Sequence, residues 1–208
     1  MQEKFWKSLS ELSLGYRLIL ALISGLAYWP CEDLSDWVDG NDTATVIGTV
    51  IRLVFGYLPG FIFGVLVMAP YAAASRNRVM RAAGLGVASS VIYYLAMKFV
   101  VDGPFSYETM TPFLISGGGS ALLVGFAVLF LAPIGFRWIL IPLTLVAGLF
   151  GGAAFRLNIW GGIFQTSLLP GHIAWQILVC LALHFGLPLP TASRGTPATK
   201  PAHPATAY

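Results

Sequence analysis

Long apolar runs separated by short polar stretches organise this chain. Six emerge, over residues 12–29, 44–70, 79–101, 111–132, 134–155 and 171–187. Each reaches or approaches the about 20 residues that a helix needs to cross a bilayer. The runs are unbroken and do not alternate apolar with polar positions, which argues for helices and against barrel strands. The expected fold is therefore all-α, a polytopic bundle of six transmembrane helices with short loops. Pro70, Pro104, Pro112, Pro133, Pro170 and Pro188 fall at or near the ends of the runs, where a missing N–H costs least. Pro59 and Pro142 fall inside two of them and predict kinks.

Outside the runs, residues 1–11 place Phe5, Leu9 and Leu12 on one helical face and predict a short interfacial segment. Residues 12–187 form the membrane domain. Residues 188–208, rich in Pro, Ala and Thr, predict a disordered cytoplasmic tail. No Ala-x-Ala site precedes the acidic stretch after the first run, so that run is expected to stay on the protein. Composition agrees. Of 208 residues, 57% are hydrophobic and 10% charged. A soluble surface is roughly 25–35% charged, so a soluble globular domain is excluded.

The scarce charges carry a topology signal. With the N-terminus in the cytoplasm, Lys4, Lys7, Arg17, Arg76, Arg78, Arg81, Arg137, Arg194 and Lys200 lie inside. Arg52, Lys98 and Arg156 lie outside, which gives nine against three. Both termini are then cytoplasmic, and the expected location is a bacterial-type plasma (inner) membrane. The net charge of +3 is thereby absorbed. No basic run of the kind that tracks a phosphate backbone is present, so no nucleic acid is expected as partner. The lipid bilayer is the expected partner.

Polar residues inside the runs are the candidates for chemistry. Arg52 is either an intramembrane functional group or an interfacial residue paired with an outer-loop acid. Arg17, Lys98 and Arg156 sit near run ends, where long side chains can reach the interface and need no function. His172, Gln176, Cys180 and His184 follow one another at four-residue intervals and form one stripe on the sixth run. Such a stripe should face the bundle interior, as interhelical glue, a lined path or a metal site. His172 and His184 lie about 18 Å apart along a helix and cannot share a metal. Asp36, Asp39 and Asp42 lie in an acidic outer loop that is either solvated or a weak cation site. No cofactor is implied.

Small residues recur at helical spacing. Gly56, Gly60 and Gly64 offer a face for close helix packing, within the chain or against a membrane-protein partner or second copy. Gly60 beside Pro59 is a candidate hinge. Gly117, Gly118 and Gly119 either break the fourth helix or let it pass close to a neighbour.

The fourth run also contains Gly118-Gly119-Ser120-Ala121. This stretch resembles the Gly-x-Ser-Gly motif of the rhomboid intramembrane proteases. Their nucleophile lies on the fourth of six core helices and their base is a His on the sixth. The resemblance implies Ser120 as nucleophile and His172 as base. The sequence departs from the family at Ala121, at Trp175 and Gln176 after the His, and in a second run without His or Asn. The function expected first is a non-enzymatic structural, interaction or accessory subunit. The alternatives are a small-solute or ion permease using Arg52 and the sixth-run stripe, and a rhomboid-like serine hydrolase.

Overall fold

The computed structural model describes residues 4, 6, 8–9, 12–28, 30, 46–73, 75–106, 108–132, 137–161 and 169–187, with the side chains of 46–47, 51–53 and 158–161 left aside. The described residues are helical and contain no strand. The helices are α1 (Leu14–Leu26), α2 (Val46–Phe63), α3 (Arg78–Asp102), α4 (Thr111–Leu131), α5 (Leu140–Gly161) and α6 (Leu169–Gly186). A π-helical turn (Gly64–Met68) and a 3-10 turn (Ala69–Ala72) continue α2.

Among the described residues, five helical stretches are long and apolar enough to cross a membrane, counting α2 with its continuation. Among the described residues α1 is shorter, at 13 residues or about 20 Å. Ser13 sets its start by accepting the Tyr16 N–H. Pro142 does not sit mid-helix as expected. The helix begins at Leu140, so Pro142 lies in its first turn, where no N–H partner is lost.

Neighbouring helices are antiparallel throughout. Gly60 meets Ser89 and Ser90 while Gly64 meets Leu85 and Gly86, which sets α2 against α3. Arg81 Nη1 donates to Leu131 O and Ser116 Oγ to Ala96 O, which sets α3 against α4. Gly125 faces Thr144 while Gly117 faces Gly148 and Gly152, which sets α4 against α5. Leu140 meets Gly186 and Gly151 meets Trp175, which sets α5 against α6. The ring closes because α6 also packs along α1, Ile173 on Gly25 and Cys180 Sγ on Arg17 O.

Two ends are thus defined. One gathers the start of α3 and the ends of α4 and α6, and there Met68, Tyr71, Val128, Leu140, Leu183 and Leu187 fill the ring as a buried apolar core. We call it the packed end. The other gathers the end of α3 and the starts of α4 and α6. A belt of outward apolar residues, among them Phe61, Val65, Val87, Leu95, Leu123 and Phe150, surrounds the bundle. In water it would be a liability; in a bilayer it is the ordinary lipid-facing surface.

The glycines explain the closest contacts. The break considered at Gly117, Gly118 and Gly119 does not occur, since α4 is helical throughout. A Cβ on Gly117 would lie 2.8 Å from Gly152 Cα, and one on Gly148 would lie 2.6 Å from Ala121 Cβ. No side chain fits between these backbones. Likewise the Gly60 and Gly64 face is filled by α3 of the same chain: a Cβ on Gly60 would lie 2.7 Å from Ser89 O. Gly56 lies more loosely beside Tyr94. A partner or second copy docking on this face would have to displace α3. Pro59 and Gly60 are buried within helix, and the irregular backbone lies one turn further on, at Gly64–Met68.

Candidate functional site

The stripe of α6 faces inward, because His172, Gln176 and Cys180 are all buried and His184 is half-buried. Its members do not share one space. The His172 ring lies tilted against Tyr28, with centroids 3.7 Å apart, and meets Phe155 edge-on. Its Nε2 lies 3.5 Å from the Tyr93 hydroxyl. Cys180 Sγ reaches the Arg17 carbonyl oxygen at 3.6 Å. His184 lies edge-on to Phe185. Gln176 Oε1 and His184 Nδ1 are buried with no partner among the described residues. Arg52 lies on α2, but its side chain falls outside the described residues, as do Asp36, Asp39 and Asp42 entirely.

One cavity of about 70 Å³ opens at the end of the ring opposite the packed end. Tyr93, Ala96, Met97, Val100 and Val101 of α3 form one wall. Phe113, Ser116, Gly117 and Ser120 of α4 face them, and Phe155, His172 and Trp175 complete the lining. Neither Gln176 nor His184 lines this cavity.

Ser120 and His172 therefore border the same cavity without engaging each other. Ser120 Oγ donates to Gly117 O, three residues back on its own helix, at 3.1 Å. That is the habit of a structural serine in a membrane helix. Trp175 Nε1 donates to the same carbonyl at 3.2 Å, which fixes the parallel register of α4 and α6. Ser120 stands three residues beyond that level and His172 three before it, about 9 Å apart along the axis. A nucleophile and its base need about 3 Å. Ser120→Ala should accordingly change neither stability nor labelling by a fluorophosphonate probe, read by thermal unfolding in detergent and by gel. Loss of a covalent adduct in that variant would restore the hydrolase reading.

Two arginines were missed by sequence reasoning. Arg17 and Arg156, expected to reach the interface, are each only 3% exposed. Arg17 Nε donates to Leu12 O, and its guanidinium lies over the Tyr71 ring at 4.8 Å. Arg156 Nη2 donates to Glu108 O in the segment joining α3 to α4, and its guanidinium lies over Phe113. The signal was present. Arg17 continues the face of Ala21, Ser24 and Gly25, and Arg156 continues that of Gly148 and Gly152. An arginine that extends a small-residue stripe belongs to a helix–helix contact, not to the lipid.

Comparison with known proteins adds no name to this arrangement. No family model, curated protein or solved structure matches the chain. Among the described residues, no three His, Cys, Asp or Glu side chains cluster to hold a metal. The chemistry available is that of a small apolar cavity with an imidazole and a phenol at its inner end.

Proposed function

We propose that this chain is a non-catalytic multi-pass protein of a bacterial-type plasma membrane, acting as a structural, interaction or accessory subunit. It spans the bilayer six times with both termini in the cytoplasm. The observation that carries the reading is the apolar plug at the packed end. Met68, Tyr71, Leu140, Leu183 and Leu187 close the ring there, and the cavity at the other end does not continue into them. Of the α6 stripe, His172 meets Tyr93 of α3 and Cys180 meets Arg17 of α1, separate neighbours of the kind that interhelical glue has. The orientation follows from the arginines. Arg76, Arg78, Arg81 and Arg137 flank the packed end, which is the cytoplasmic one on the positive-inside rule. Asp102 and Glu108 lie at the opposite end.

The test is reconstitution. Proteoliposomes of the intact protein should pass ions and small metabolites no faster than empty vesicles. A flux that falls in both His172→Ala and Arg52→Ala would overturn the proposal in favour of a permease. Topology is read separately. A reporter fused after Tyr208 should be active only in the cytoplasm, and activity outside would overturn the six-span count.

A further inference from the structure

The packed end carries a cationic surface whose chemistry goes beyond a topology signal. Arg76 and Arg78 line an open hollow of about 420 Å³, together with Asn77, Val79 and Met80, at the turn into α3. The turn is tied down: Ser75 N–H donates to Ala72 O at 2.9 Å and Asn77 N–H to Ser75 Oγ at 3.3 Å. Arg78 lies over the Trp6 ring, 5.8 Å from its centroid, which positions the guanidinium without neutralising it. Arg76 is exposed. Among the described residues neither arginine meets a carboxylate, since the two described acids, Asp102 and Glu108, lie at the other end of the bundle. Next to the hollow the surface changes character. Met80 is 69% exposed, and Ala83, Val87 and Val91 continue its face of α3 as an exposed apolar strip. Two guanidinium groups thus stand at the head of a lipid-facing strip.

We propose that this hollow seats the head of an anionic phospholipid. The phosphodiester accepts hydrogen bonds from Arg76 and Arg78, and the acyl chains run along Met80, Ala83 and Val87. The juxtaposition of two chemistries selects this occupant. Inorganic phosphate or an acidic peptide satisfies the arginines and makes no use of the strip. A zwitterionic lipid covers the strip but brings a cation of its own toward two others. An amphiphile with a net negative head meets both surfaces at once. The guanidinium matters as well as its charge. Its planar fork matches two phosphate oxygens, whereas lysine offers a point charge. Arginine should therefore outperform lysine here, although both give the same topology signal.

The lipid seat goes beyond the proposed function and stands apart from it: flux or hydrolysis in proteoliposomes would unseat that function and leave the labelling below unchanged. The probe is phosphatidylglycerol with a diazirine in an acyl chain near its ester. It is photolysed with the full chain in mixed micelles of phosphatidylcholine and detergent, where no membrane orientation is imposed. Adducts should concentrate over residues 79–87. Excess phosphatidylglycerol should suppress them, while phosphatidylcholine should not. Sodium phosphate should displace no more label than sodium sulfate at equal ionic strength. Arg76→Gln combined with Arg78→Gln should weaken binding about 25-fold, or about fivefold for each arginine. Arg76→Lys combined with Arg78→Lys should weaken it about fivefold. Arg137→Gln alters an exposed cation of the same end outside the hollow, and should stay within about twofold of the parent. Competition by phosphatidylcholine equal to that by phosphatidylglycerol would overturn the proposal, as would adducts spread evenly over outward residues such as Leu123 and Phe150. Selective displacement by phosphate would do the same, and so would an equal loss in Arg137→Gln or none in the lysine pair. The competition uses the unaltered protein, so it decides the matter even where a variant fails to fold.

Discussion

Gly148→Val should leave little folded protein. The α4 and α5 backbones touch at this point, and the new Cβ would be driven into the Gly117 carbonyl oxygen and stand 2.6 Å from Ala121 Cβ. Overpacking a core costs about 1–3 kcal/mol where side chains can move aside, and more where backbone is the obstacle. Here the helices must separate. Gly117 then also moves away from Trp175, whose indole donates to its carbonyl. A loss of about 3 kcal/mol or more is expected, read as unfolding in a dodecyl sulfate titration. Gly119→Ala is the control. Nothing lies within 4 Å of a Cβ at Gly119, so that variant should be neutral or gain up to about 1 kcal/mol from helix propensity. Equal behaviour of the two variants would refute the close-contact account of the glycine run.

Arg156→Met should have the second largest effect, and a local one. Arg156 holds the segment between α3 and α4 through the Glu108 carbonyl, while the aliphatic part of methionine keeps most of the buried volume. A hydrogen bond from a charged donor is worth about 1.5–3 kcal/mol, and the exposed side of Glu108 lowers that toward the bottom of the range. Stability should fall by about 1–2 kcal/mol. Residues 103–110 should become the first site of proteolysis in detergent. Cleavage at an unchanged rate in the variant would show that Arg156 does not hold this segment.

How much of this was legible in the sequence differs by level. The helices were readable because a membrane span announces itself by length and hydropathy alone. Boundaries were less so: the fifth run begins at Ile134 by composition, yet its helix begins at Leu140, which moves Pro142 from a kink to a first turn. The inward face of α6 was legible from His172, Gln176 and Cys180, because in lipid a polar stripe has only one favourable direction. What those residues touch was not. The partners of His172 are Tyr28 and Tyr93, on α1's trailing end and on α3, and helical periodicity does not say which helix lies opposite. The buried arginines were misread for a related reason. Reach to an interface is a property of one side chain, whereas burial depends on the neighbour that covers it.

The closure of the ring by α6 on α1 bears on how the protein is made. α1 finds its main partner in α6, far along the chain, so it waits through the synthesis of everything between. At about 5–20 residues per second that wait is on the order of ten to thirty seconds. Throughout it, the face that carries Arg17, Ser24 and Gly25 lacks the helix that will cover it. Biogenesis therefore has a vulnerable interval fixed by chain order. Truncation before α6 should yield a species that lingers on the insertion machinery or is degraded, even though α2 with its continuation, α3, α4 and α5 are each long and apolar enough to cross a membrane.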